Sequence, residues 1–300
     1  MSEPIVTSHE GPRTATLAAR TSIHAAVWGR EWRAEVIGAT LAQAAMLGYG
    51  HVIVPLRRFE DVDPTALARV FAAHRIAPLN ACGLAPDRDI GSADSRIRQR
   101  GVDHLLHAIA LARDMGSTQI GGVLHGPLGK AAHAPTRDDR SRAAESLHAV
   151  ADAAAIAGVR LALELVNRYE NALLNTVAQG LAFLAQVDHP NLWLHLDTFH
   201  MSIEEAAPFD ALAAALPRLA YLELDQSHRG DAFEGSLDLV HWCRQAKRVG
   251  YEGLVGVEAF SRGLLADEHA DALAIWQDRF DDGTRVARGF MQVIEAGFGD

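Results

Sequence analysis

The sequence predicts a single-domain (β/α)8 TIM barrel, and three observations predict it. Eight short apolar or β-branched runs alternate with longer Ala- and Leu-rich segments of helical period. Several of those helical segments stop at a glycine just ahead of the next run. No Pro/Gly/Ser-rich linker or charge block divides the chain, and 300 residues is an ordinary length for one such barrel.

The strands are expected at residues 21–28, 51–56, 76–82, 118–124, 159–165, 192–196, 219–224 and 253–258, each followed by a helix. Gly48, Gly116, Gly158 and Gly250 mark repeated helix-to-strand junctions, because glycine accepts the left-handed conformation at a helix C-terminus. The long pattern after Leu264 reads as the closing helix. Residues 1–20, which mix Glu3, Pro4, Glu10, Pro12 and Arg13, form a loosely held tail, and 21–300 form the barrel. A doubly wound open sheet is the alternative, but the Gly-rich fingerprint it carries after its first strand is missing after Trp28.

Composition narrows the function. Apolar residues make up 49% and charged residues 22%, the balance of a globular chain. A formal net charge of -10 without any basic run argues against nucleic acid. The start lacks the basic end and apolar core of a signal peptide, and no stretch is apolar enough to span a bilayer, so a soluble cytoplasmic protein is expected. Cys82 and Cys243 are far apart and neither sits in a metal-binding spacing. A homo-oligomer is compatible with the sequence, which does not fix the number of subunits.

The chemistry is carried by acids at the ends of otherwise apolar strands: Glu164, Asp197, Glu223 and Glu258. In a barrel, the C-terminal ends of the strands are where functional groups gather. Buried carboxylates are costly without a cation, so four of them at matching ends imply a bound divalent ion. The competing reading is that they cap following helices or pair with Arg168, Arg229 and Arg262 downstream.

Several stretches resemble a known family, the xylose-isomerase-like sugar isomerases and epimerases, and within it the ketose 3-epimerases of the D-tagatose 3-epimerase type. They are Arg88-Asp-Ile-Gly-Ser with Ile97-Arg-Gln-Arg-Gly, Leu163-Glu-Leu-Val-Asn-Arg-Tyr-Glu-Asn-Ala-Leu-Leu-Asn-Thr, Leu196-Asp-Thr-Phe-His-Met-Ser-Ile-Glu-Glu, Ser227-His-Arg-Gly, and Gly250-Tyr-Glu-Gly with Val257-Glu-Ala-Phe. The resemblance implies that Glu164 and Glu258 are both metal ligands and the proton-transfer pair, that Asp197 is a further ligand, and that Glu170, His200 and Arg229 contact substrate oxygens. It also exposes a departure. The family's third ligand is a histidine six residues before the arginine of the Arg-Gly pair, and here that position is Glu223.

Glu223 either ligates the ion through oxygen, the reading preferred here, or marks diverged chemistry. A site of four carboxylates suits Mn2+ best, with Mg2+ or Co2+ as alternatives, more than zinc. The second strand lacks the acid often found there, and Asp231-Ala-Phe-Glu-Gly replaces the usual loop after Arg229. His125 and Trp28, at the ends of strands four and one, are further candidates to touch a sugar. His24 and His195 lie inside strand runs and read as packing histidines. The activity expected is C3 epimerisation of a ketose by two-base proton transfer, or aldose-ketose isomerisation with the same parts. A metal-dependent lyase acting on an oxidised sugar and a non-catalytic sugar-binding relative are the rivals.

Overall fold

The computed structural model describes residues 17–56 and 59–299. Eight parallel strands follow one another in sequence order: β1 Ser22–His24, β2 His51–Pro55, β3 Ala77–Ala81, β4 Gln119–Gly122, β5 Arg160–Glu164, β6 Leu192–Asp197, β7 Leu219–Leu224 and β8 Leu254–Val257. A single bridge, Thr21 to Val255, brings the first strand back to the last. The predicted barrel is therefore the observed one, with each strand inside or within a residue of its expected span.

The helices between strands are α1 Ile37–Met46, α2 Pro64–His74, α3 Ser95–Met115, α4 Arg137–Ile156, α5 Val177–Val187, α6 Thr198–Glu204, α7 Pro208–Ala215 and α8 Leu239–Arg248. Their starts are set locally. Asp63, Asp94 and Asp238 accept backbone N–H groups at the first turns, and Thr136 with Asp139 and Thr176 with Gln179 form capping boxes. The four junction glycines all take positive φ, from 71° to 88°. The apolar faces of these helices close on the outer face of the sheet around Phe71, Leu147, Phe183 and Phe290.

One expectation needs correction. The segment after Leu264 is not one closing helix: a short α9, Asp267–Ala272, precedes α10, Gly283–Phe298. The run from Gln277 to Asp282, polar apart from the buried Phe280, separates them, and Asp282 caps the second. The expected tail falls in part on residues 1–16, which lie outside the described residues. Its last four residues are structured: Leu17–Arg20 form a 3-10 turn, and the Arg20 guanidinium donates to the carbonyls of Tyr251 at 2.9 Å and Gly253 at 3.1 Å.

Inside the barrel, Ile53, Leu79 and Tyr221 form a small apolar cluster. Tyr221 fits because Gly256, on the neighbouring strand, has no side chain: a Cβ there would lie 1.6 Å from the phenol oxygen. Gly256→Ala is expected to cost about 1–3 kcal/mol by overpacking, read as an earlier urea midpoint. A midpoint equal to wild type would mean that the Tyr221 ring moves aside at no cost.

Candidate active site

The acids arrive at one end of the barrel because each is the last or next-to-last residue of a strand, or directly follows one. Glu164 ends β5, Asp197 ends β6, Glu223 is the penultimate residue of β7 and Glu258 follows β8. Strand register places Asp197 beside Glu223 and Glu164 beside His195. Neighbours round the ring Glu164, Asp197, Glu258, Glu223 each bring a carboxylate oxygen within 4.8 Å of the next. Asp197, Glu223 and Glu258 are buried, and Glu164 keeps 13% of its side chain exposed.

Cationic and imidazole groups surround this ring. His200 Nε2 lies 3.4 Å from Glu164, while its Nδ1 accepts from the backbone and side-chain N–H groups of Asn167 at 3.1 and 2.9 Å, which fixes the tautomer. Arg229, itself buried and in the left-handed region at φ 58°, donates to Asp225 at 2.9 Å, reaches Glu170 at 3.3 Å and pairs closely with Glu258. Its guanidinium is packed against the rings of Phe199 and Phe260, 5.0 and 4.9 Å away.

These contacts divide the acids. Burial works against the charged forms of Glu164 and Glu223, yet His195 and His200 hold Glu164 down at about 2, and His24 and His195 hold Glu223 below the usual carboxylate range. Burial together with the neighbouring carboxylates pushes Asp197 up to about 7, against the opposing pull of His200. Asp225 and Glu258 are raised chiefly by burial, although Arg229 faces both. His195, opposed by its burial, is lifted to about 9 by Glu164 and Glu223.

The residues fit a hard divalent cation. Asp197 Oδ2 and Asp225 Oδ1 are buried oxygens without a hydrogen-bond partner, and crowded anions that resist ionisation are what such an ion relieves. The ring opens into a cavity of about 400 Å3, floored by His24, Glu164, His195, Tyr221, Glu223 and Glu258. Glu170 and Arg229 line its side, and Leu56, Leu84 and Leu128 give an apolar wall on the β2–β4 side.

The competing reading of the acids holds only in pieces. Asp197 does cap α6, accepting from the N–H of Phe199 and His200, and Glu258 does meet Arg229. Arg168 pairs instead with Glu204, and Arg262 with Asp271. Among the substrate candidates, Glu170 and Arg229 line the cavity and His200 backs Glu164. Trp28 and His125 are not among the described residues lining it. The 3-10 turn Ala25–Val27 carries Trp28 away, where its indole donates to Thr284 at 3.0 Å. His125 is wholly buried, and burial lowers its pKa to about 4.

The reverse holds for His24 and His195. Far from being simple packing groups, both line the cavity and both touch Glu223, at 3.1 and 3.0 Å. The signal was in the strand period: His195 is two residues before Asp197, so both share one face of β6. Tyr221 stands in the same relation to Glu223, and its hydroxyl donates to that carboxylate at 3.0 Å.

A parallel eight-stranded barrel with an acid ring at its strand ends defines a class, and comparison with known proteins agrees with it. The family model of the xylose isomerase-like TIM barrel matches residues 41–279, and the chain belongs to that family. It is 37% identical over 270 residues to the L-ribulose 3-epimerase of Mesorhizobium japonicum, covering 90% of this chain and 91% of that one. It is 32% identical to the ketose 3-epimerase of Arthrobacter globiformis, with 88% and 91% covered. The crystal structure of D-allulose 3-epimerase from Methylomonas sp. in complex with D-allulose superposes with a TM-score of 0.89 at 30% identity, over 93% of this chain and 96% of that one.

Proposed function

We propose that this chain is a ketose 3-epimerase that works with a divalent ion, Mn2+ first, held by Glu164, Asp197, Glu223 and Glu258. The observation that carries the reading is the placement of Glu164 and Glu258 across the acid ring, facing one cavity from β5 and from the end of β8. The relatives' names, L-ribulose and D-allulose among their substrates, point to a free ketose.

Inverting C3 next to a ketone requires removal of a weakly acidic proton from one face and return of a proton to the other. Glu164 and Glu258 are the two bases, one for each face. When bound, a divalent cation polarises the carbonyl and stabilises the negative charge of the enediolate. Arg229 and Glu170, which touch each other on the cavity side, hold substrate hydroxyls, and His200 faces the Glu164 carboxylate at 3.4 Å. The Phe199 and Phe260 rings keep the Arg229 guanidinium in place.

The test is product analysis with L-ribulose and D-allulose in deuterated water. The C3 epimer should accumulate with solvent deuterium at C3. An aldose product carrying solvent deuterium at C2 would indicate aldose-ketose isomerisation instead, and a bound sugar with no exchange at all would indicate a binder.

A further inference from the structure

Glu223 is held far more completely than the other acids of the ring. Its Oε1 accepts from the Tyr221 hydroxyl at 3.0 Å and lies 3.1 Å from His24 Nε2, and its Oε2 faces His195 Nε2 at 3.0 Å. Against an acceptor-only carboxylate each of these nitrogens must be the donor. The donors come from three strands, β1, β6 and β7. The arrangement is itself supported: Ser22 Oγ bonds the Tyr221 hydroxyl at 2.8 Å, and Gly256 leaves the space that hydroxyl occupies.

Counting lone pairs gives the consequence. A carboxylate offers about four acceptor positions, two on each oxygen. On Glu223 the Tyr221 hydroxyl takes one position of Oε1, His24 Nε2 crowds the other at ion-pair distance, and His195 takes one position of Oε2. A single position on Oε2 is left, so this side chain can give a cation one contact and cannot chelate it through both oxygens.

We propose that His24 and His195 are positioning residues for the divalent-ion site, acting through Glu223 to hold its carboxylate in a fixed, single-point ligating pose. The inference rests on the proposed ion-dependent function. It assigns to two histidines inside the barrel a part in ion binding that involves no direct contact with the ion. A carboxylate with these donors removed would be free to swing toward Glu258 or turn both oxygens inward, and either change degrades the geometry that a hard cation needs.

The experiment measures Mn2+ affinity of the full chain by calorimetry, with free Mn2+ followed by electron paramagnetic resonance. His24→Leu and His195→Leu should each weaken Mn2+ binding by roughly 10- to 100-fold, the usual effect of losing a group that orients a ligand. His195→Gln, which keeps an N–H donor, should recover most of it. The decisive comparison is in the Glu223→Ala background, where His195→Leu should cost far less than in wild type, because the carboxylate the histidine bonds at 3.0 Å is gone and only its longer 3.9 Å contact with Glu164 remains. Tyr221→Phe keeps the ring and removes only the third donor. It should weaken binding severalfold, so the idea remains testable if a Leu variant does not fold.

Equal losses from His195→Leu with and without Glu223 would overturn the proposal, as would His variants and Tyr221→Phe that bind Mn2+ like wild type. In both cases the ion-dependent reading itself survives. A wild-type protein that binds no Mn2+, Mg2+ or Co2+ would sink both together.

Discussion

Glu164→Gln and Glu258→Gln are each expected to lower kcat for C3 epimerisation by about 10²- to 10⁴-fold, the usual cost of removing an essential acid or base. The amide keeps the shape of the side chain but can neither take a proton nor supply a charged oxygen to the ion. Both functions are lost at once, so excess Mn2+ should restore occupancy without restoring rate. The two variants should also differ. In Glu258→Gln, Arg229 loses its close carboxylate partner while Asp225 and Glu170 still hold it, so substrate KM should rise more than in Glu164→Gln. Far-UV circular dichroism should be unchanged in both. Turnover within a few-fold of wild type in either variant would falsify the two-base assignment.

Chelation is expected to lower the melting temperature, and by a margin that widens from pH 5 to pH 8. An ion present at about 100 times its Kd stabilises the folded state by about 2.7 kcal/mol, which corresponds to a shift of roughly 5 °C for a chain of this size. The pH dependence comes from Asp197. Its pKa in the folded protein, about 7, is raised above the unfolded value, so folding favours the protonated form. In the ion-free protein its contribution to stability is fully present below the unfolded pKa and is lost as pH rises toward 7. At pH 5 an incoming cation must displace that proton, whereas at pH 8 the carboxylate is already ionised. Paired thermal melts with and without chelator at the two values check this. Identical gaps at both would show that Asp197 does not meet the ion, and no gap at either would remove the ion altogether.

How far the sequence carried this site depends on the residue. The four acids were legible because a carboxylate at the end of an apolar strand has no role in the strand itself. The barrel was legible because period-2 and period-3.6 patterns alternate eight times with glycine at the junctions. His24 and His195 were missed because a histidine inside a strand is usually content in the core, and only pairing across strands reveals what it faces. Register set that: His195 lies beside Glu164 and Tyr221, while Glu223 lies beside Asp197. Trp28 stands apart from the ring for a related reason. Its strand ends at His24, and the turn that follows points the indole elsewhere. The split between α9 and α10 was blurred by apolar residues on both sides of a polar connection.

Among the described residues the thinnest seam of the barrel lies between its first and last strands, where one backbone bridge and a long 3.5 Å contact from Ser22 to Val255 stand in place of the two to five register pairs that join the other neighbouring strands. Arg20 spans that seam from outside by gripping the carbonyls of Tyr251 and Gly253. His24 belongs to one lip and Glu258 to the other, and on the inner side both lie close to Glu223, His24 at 3.1 Å and Glu258 within 4.8 Å. His24, reaching Glu223 at 3.1 Å and Glu258 at 3.7 Å, thus ties the two lips together from inside, where the sheet's own stitching is thinnest.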